Sequence, residues 1–338
     1  MRIFSLFLLG NILWNSSGFI PKIQNTPVRI RNMTLYSKLT NESPIMAKIT
    51  EFSKLTRIQS TFIPVSMVAF LGGYVTNPNS WQTWIQSPPF WAAYFIIQFT
   101  TAASMTINDI QDMSVDRINN PQRPLIRGTI TKHEAQLLVC SLYSIISFLG
   151  IYFLPPILDP FWTSSLFLIT IYTPILKRIC FIKNLTCATI IASAIPFMGF
   201  ATLNPLNMVV PDLHWMLFTT GVLFESSMYN ELLLDISDKE GDEIMNIPTV
   251  PVVFGKKTTA IFIYSMLQFS YGLVAMDILN RNNPAITAAL LVTHVPYSIN
   301  IVRIWQDDFD KKTIRQSVKF TTVSLFLYLL IVLFSVKL

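Results

Sequence analysis

The sequence predicts an all-α polytopic membrane protein, and three observations carry that prediction. Of 338 residues, 51% are hydrophobic and 13% charged, against roughly 25% charged in a soluble protein, and the mean hydropathy is +0.47. A water-soluble enzyme with this balance could not cover its surface with polar groups, so that class is excluded. Second, the apolar residues come in blocks of about 17–22, long enough to cross a hydrocarbon core about 30 Å thick as helices. Third, Lys and Arg gather in alternate loops. Abundant aromatics (13%) and only 11 glycines also exclude disordered and fibrous chains.

Residues 1–18 open with Met1-Arg2, run through apolar Ile3–Trp14 and end in Asn15-Ser16-Ser17-Gly18, the layout of a signal peptide. Residues 19–41 hold Lys22, Arg29, Arg31 and Lys38, several Ser and Thr, and no acid, which is the make-up of a transit segment. The two in series, with Phe19 at the join, resemble the bipartite presequences of plastids acquired by secondary endosymbiosis; a signal anchor with a basic tail is the alternative. The expected organisation is a presequence over 1–41, an amphipathic stretch over 42–59 and a nine-helix membrane domain over 60–338.

The nine apolar stretches are 60–76, 89–107, 135–153, 161–176, 185–203, 214–230, 258–278, 285–303 and 319–336. In lipid every backbone N–H and C=O must be bonded internally, and the period-2 alternation of barrel strands is absent, so these are predicted as helices. Pro64, Pro174, Pro196 and Pro296 fall inside them, where neighbouring helices can compensate a kink. On one face lie 42–59, 108–134, 177–184, 231–257 and 304–318, which with the adjoining helix ends hold 18 Lys or Arg. The opposite face holds two, Arg281 and Lys337. This asymmetry turns the basic face toward cytosol, stroma or matrix. It also accounts for the net charge of +6 without nucleic acid.

Two acidic clusters carry the chemistry. The first contains Asn108, Asp109, Asp112 and Asp116; the second contains Glu231, Asp235, Asp238 and Asp242. Both place aspartates at i, i+3 and i+7, which on a helix fall within an arc of roughly 60°, one carboxylate stripe each. By the alternation of loops both stripes belong to the same membrane face. A stripe of like charges at the edge of a bilayer needs a cation. Oxygen ligands without His or Cys favour magnesium or calcium over zinc. Two stripes holding Mg2+ around a diphosphate would stabilise the charge that builds on a diphosphate leaving group. Arg117, Arg123, Arg127, Lys177 and Arg178 could grip phosphate oxygens, or could be flanking topological charge. Cys140, Cys180 and Cys187 have no paired spacing, and His133, His214 and His294 are scattered, so thiols are expected to be inert and histidine to build no metal site.

The run Asn108-Asp109-x-x-Asp112-x-x-x-Asp116-Arg117-x-Asn119-x-Pro121-x-Arg123-Pro124-Leu125-x-x-Gly128 resembles the first aspartate motif of the UbiA superfamily of intramembrane prenyltransferases. The run from Glu231 through Asp235, Asp238, Gly241 and Asp242 to Pro248-Thr249-Val250-Pro251 and Gly255 resembles the second, and Tyr172-Thr173-Pro174 with Lys177 is similar to the segment before span five. The resemblance implies a bundle of nine transmembrane helices around a central apolar cavity. It implies Mg2+ held by Asp109, Asp112, Asp116, Glu231, Asp235, Asp238 and Asp242, with Asn108 beside them. Arg123, Lys177, Arg117 and Tyr172 are implied as contacts of a polyprenyl diphosphate. Relatives using a benzoate acceptor carry an Arg where this chain has Thr101, so Thr101 is the acceptor-side candidate and a carboxylate acceptor is disfavoured. Asn230, Glu243 and Asn246 depart from the commoner pattern, and Asp116–Gly128 is closer to ether-lipid and chlorophyll synthases.

The function expected is Mg-dependent transfer of a geranylgeranyl or phytyl class polyprenyl group to a lipophilic acceptor of quinone, chlorophyll or ether-lipid biosynthesis, with no protein partner indicated. A UbiA-type terpene cyclase and a cation or phosphate transporter are the alternatives. Transporters commonly bind at the midplane; here the acids lie at span ends, with Glu225 the main exception.

Overall fold

The computed structural model describes residues 43–203, 213–280 and 284–335. The presequence expected over 1–41 lies outside them. All regular structure among the described residues is helical. The chain divides into two compact units. One takes the described residues up to Ala69 with Ser87–Leu176; the other takes Phe70–Gln86 with the described residues from Lys177 onward.

The first unit begins with α1 (Pro44–Leu55), whose N-cap Ser43 accepts from the Met46 amide. Its inner face buries Ala47, Glu51 and Leu55, while Ile45, Met46 and Ile49 are exposed. The sequence marks 42–59 as amphipathic, and α1 buries one face while leaving large apolar residues exposed on another. Helix α2 (Ile58–Thr76) contributes residues to both units. Helix α3 (Pro88–Gln111) starts at N-cap Ser87 followed by prolines, and buries Gln98 on the Phe62 carbonyl (3.2 Å) and Ser66 Oγ (3.0 Å). A short α4 (Met113–Asn119) and a single turn α5 (Pro124–Arg127) follow. Helix α6 (Lys132–Phe153) opens with a capping box between Thr131 and Glu134 and packs along α3. Helix α7 (Asp159–Tyr172) stops before Pro174, because a proline disfavours helical backbone at the residue before it. Its 14 residues span about 21 Å, less than the stretch 161–176 implies.

In the second unit α8 (Ile182–Ala192) and α9 (Ala194–Ala201) are separated at Ser193, so Pro196 lies in the first turn of a new helix and removes no interior hydrogen bond. Helix α10 (Leu213–Ile244) runs for 32 residues and packs on α8, α9 and helices later in the chain. After the short α11 (Val250–Phe254) come α12 (Lys256–Asn280), α13 (Pro284–Gln306) and α14 (Lys311–Ser335). Leu232, Leu233 and Ile236 of α10 meet Ile263 and Leu267 of α12, Tyr297, Ile301 and Ile304 of α13 and Ile314 of α14 in one buried cluster. Large apolar side chains such as Leu217, Phe269 and Ile299 stand exposed, as lipid-facing residues do.

Helices lie over each apolar stretch the sequence marks. Among the described residues, five segments are long and apolar enough to cross a membrane on their own: Ile58–Thr76, Pro88–Gln111, Lys132–Phe153, Ile182–Ala201 and Lys311–Val332. The remaining helices are shorter, as α7 is, or less apolar.

Close packing within the second unit depends on Gly72, where a Cβ would stand 2.7 Å from the backbone oxygen of Ile195. Gly72→Val should lower stability by about 1–3 kcal/mol, since a backbone atom cannot swing aside. The readout is the melting temperature in detergent, and an unchanged melting point would refute the contact.

Candidate active site

The first acidic cluster is built where α3 meets α4. Asp112 interrupts the helix at φ −89°, ψ 11°. The amide of Asp112 still donates to Asn108 O and that of Asp116 to Asp112 O, each at 2.8 Å. Helical register therefore passes through the break, and Asp109, Asp112 and Asp116 keep the single stripe predicted from their spacing. All three are buried, at 2%, 7% and 3% exposure.

Two arginines hold this stripe. Arg123, at the N-cap of α5 between Pro121 and Pro124, bridges Asp109 Oδ1 (2.7 Å) and Asp116 Oδ2. Arg57, at φ +54° in the link from α1 to α2, donates to Asp109 Oδ1 at 3.0 Å. Asn120 Nδ2 donates to Asp116 Oδ1 at 3.2 Å. Asp109 and Asp116 thus share the Arg123 guanidinium, and Asp109 has Arg57 besides. Burial pushes the Asp116 carboxyl up to about 6; Arg123 opposes the rise and Asp112 and Asp109 add to it. Asn108 Oδ1 accepts from Thr173 Oγ1 at 3.5 Å, which brings the segment after α7 to the cluster. Tyr172 ends α7 beside it in sequence and is half-buried.

The second cluster lies on α10. The sequence places 231–257 after the sixth span as a loop, but the helix continues through Asp242 to Ile244. It ends where Asn246 takes φ +54° and Ile247 donates to Asp242 O at 2.8 Å, just before Pro248. Gly255, at φ +87° and ψ 155°, turns the chain after α11 in a conformation only glycine adopts readily. Asp235 and Asp242 are buried. Lys183 and Asn184, in the first turn of α8, both reach Asp235: the lysine ion-pairs with Oδ1, and Asn184 Nδ2 donates to Oδ2 at 2.8 Å. Burial pushes Asp242 up to about 6, opposed by Lys183 and by Lys177 and reinforced by Asp235 and Asp238. Burial also raises Asp238, opposed by Lys183, Arg315 and Lys311. Lys177 is close enough to bias Glu231 as well.

Of the residues marked in the sequence, the structure brings Asp109, Asp112, Asp116, Arg123 and Asn108 together in the first unit, and Glu231, Asp235, Asp238, Asp242 and Lys177 in the second. Arg117 departs from expectation. It is exposed and makes no ion pair among the described residues, because a residue adjacent to Asp116 on a helix points about 100° away from the stripe. Thr101 lies two turns before Asn108 on the same face of α3 and donates its hydroxyl to Ile97 O at 2.9 Å. Sequence reasoning missed Arg57, Lys183, Asn184 and Asn120; the first two were counted only as topological charge.

Among the described residues no three His, Cys, Asp or Glu side chains already converge to hold a metal ion; arginine and lysine stand between the carboxylates instead. The donor chemistry nevertheless fits a hard divalent cation. Each cluster offers several carboxylate oxygens in a largely buried setting.

The family model of the UbiA prenyltransferase family matches residues 66–333. A digeranylgeranylglyceryl phosphate synthase from Pyrococcus furiosus is 30% identical over 168 residues, 50% of this chain and 57% of the relative, so the match spans little more than half of that protein's length. Among solved structures, one of digeranylgeranylglyceryl phosphate synthase has a TM-score of 0.65 at 21% identity, covering 86% of this chain and 99% of that one. A UbiA homolog from Archaeoglobus fulgidus bound to GPP and Mg2+ has a TM-score of 0.59 at 17% identity, covering 83% and 99%. These likenesses establish an all-helical, multi-pass membrane fold of UbiA type. With a family match over most of its length and both aspartate runs in place, the chain belongs to the UbiA prenyltransferase family.

Proposed function

We propose that this chain transfers a polyprenyl group, of geranylgeranyl or phytyl class, from its allylic diphosphate to a lipophilic acceptor of ether-lipid, chlorophyll or quinone type, with Mg2+. The observation that supports this most is the pair of carboxylate clusters, each with its aspartates in one stripe and in a largely buried setting. Asp109, Asp112 and Asp116 would hold metal in the first unit, and Glu231, Asp235, Asp238 and Asp242 in the second. The bound ion would supply Lewis-acid stabilisation of the diphosphate's charge. The protein groups do the rest. Arg123 and Lys177 donate to terminal phosphate oxygens, and Arg57 balances Asp109 while the diphosphate is present. Asn108 orients a phosphate oxygen with its amide. The bond from the prenyl C1 to oxygen breaks with its electron pair leaving on the diphosphate. An acceptor oxygen or carbon then bonds to C1 and gives up its proton to the released diphosphate. The names of the relative and of the neighbour bound to GPP and Mg2+ agree with this chemistry.

Membrane fractions supplied with labelled geranylgeranyl or phytyl diphosphate and a panel of acceptors test the proposal. Diphosphate release coupled to prenylation of one acceptor supports it; product formed without any acceptor assigns the chain to cyclisation instead. Nine crossings with both clusters on the basic face belong to the same proposal. In a chain with Cys140, Cys180 and Cys187 replaced by Ala, cysteines at Ser114 and Lys239 should be labelled by an impermeant reagent from one side and a cysteine at Asn79 from the other. Opposite labelling of the first two would overturn the placement of both clusters on one membrane face. The presequence and a plastid destination are also proposed, and a fluorescent fusion of residues 1–41 reads them directly.

Thr101 bears on the acceptor. A pocket with threonine there has no fixed positive charge for a carboxylate, and burying an unpaired carboxylate costs several kcal/mol. Wild type should therefore prenylate neutral phenols or alcohols in preference to 4-hydroxybenzoate, and Thr101→Arg should shift that preference toward the benzoate. Efficient use of 4-hydroxybenzoate by wild type would overturn this reading.

A further inference from the structure

Helix α14 begins with an unusual run of charge. Lys311, Lys312, Arg315 and Lys319 fall within its first nine residues, and with Asp310 and Gln316 they line a groove of about 510 Å3. All six side chains are exposed. Lys311, Arg315 and Lys319 recur every fourth residue, which sets them in one stripe. Like charges at that spacing repel, and cations at a helix N-terminus also meet the positive end of its dipole.

Asp238 of α10 bears on Lys311 and Arg315 through space, and two further anions lie nearby. Glu240 pairs with Lys311 at 3.0 Å and reaches Lys256 at 3.7 Å. Asp310 commits one carboxylate oxygen to the Thr313 amide at 3.0 Å. Among the described residues no carboxylate stands within ion-pairing distance of Lys312, Arg315 or Lys319. The groove is an anion site by its charge. The remainder of the helix identifies the kind of anion. The spacing continues through Val323, Leu327, Leu330 and Phe334, all large, apolar and exposed. One winding face of α14 therefore presents cations at its start and bare hydrocarbon below them. Flanking charge that serves only topology needs no groove.

We propose that the groove binds the phosphate head of an anionic membrane lipid, with the lipid's hydrocarbon chain lying along Val323, Leu327, Leu330 and Phe334. Free phosphate would use the cations but gain nothing from the apolar face, and a zwitterionic head would bring a second cation against Lys312 and Arg315. The assignment rests on α14, whose Lys311 and Arg315 also bear on Asp238 of the second carboxylate cluster.

The test uses the purified full chain in detergent with chelator present, so that metal-dependent binding elsewhere is silent. Lysophosphatidic acid, lysophosphatidylcholine and inorganic phosphate are titrated, and binding is read by native mass spectrometry and by the shift in melting temperature. Wild type should bind lysophosphatidic acid at least ten times more tightly than either other probe. Arg315→Gln combined with Lys319→Gln should weaken that binding at least tenfold at an unchanged melting point without lipid, and Arg315→Lys should keep it. Equal binding of lysophosphatidic acid by wild type and the double variant would overturn the site. Inorganic phosphate or lysophosphatidylcholine bound as tightly as lysophosphatidic acid would overturn its assignment to an anionic lipid.

Discussion

Asp112→Ala and Asp238→Ala chains should insert at wild-type levels and lose prenyl transfer by a factor on the order of 10² or more. Asp112 stands at the break between α3 and α4 with its carboxylate buried among Asp109 and Asp116. Asp238 lies one helical turn from both Asp235 and Asp242 on α10. Alanine at either position removes a ligand oxygen for the proposed ion. Each lost decade corresponds to about 1.4 kcal/mol at the transition state, so two decades is a modest demand on a group that holds charge in a water-poor site. The stability of the apo chain should not fall, because removing one carboxylate from a crowded stripe relieves repulsion. Activity in wild type should vanish with chelator and return with magnesium. Retention of more than about a tenth of wild-type turnover in either variant would count decisively against the two-cluster mechanism.

Lys183→Met should destabilise the metal-free chain by about 3–5 kcal/mol, since it strips the ion-pair partner from a buried carboxylate. Both members are almost fully enclosed, and Asn184 alone remains on Asp235 after the change. The loss should show as a lower melting temperature in detergent with chelator present. Adding Asp235→Leu to the same chain should recover much of the melting temperature, because a buried pair exchanged for apolar groups is close to neutral, yet the double variant should remain inactive. That split separates a structural contribution from a functional one. A single variant that melts with wild type would show that Asp235 finds solvent or another cation, and that the pair is not what closes α8 onto α10.

Much of this was legible in the sequence. Helix existence followed from apolar blocks, because a backbone in lipid has few other ways to satisfy itself. The two carboxylate stripes followed from the spacing i, i+3, i+7, a geometric property of any helix. The first stripe survives even the break at Asp112, since the hydrogen bonds at 112 and 116 preserve register. The family motif marked Arg123 as well, and it lies on the first stripe.

Other features were decided by tertiary contact. Arg57 and Lys183 each lie 52 residues from the aspartate they neutralise, and local periodicity carries no information across such a gap. Both looked like topological charge until the fold set them on Asp109 and Asp235. The length of α10 was also misjudged, because apolarity ends near residue 230 while helical hydrogen bonding goes on to Ile244. What the sequence determined by itself was membrane class, helix placement, stripe geometry and family. Which cations face which carboxylates, and where each helix stops, only the tertiary structure decided: those depend on side chains meeting across space, where burial makes an unpaired charge too unfavourable to persist.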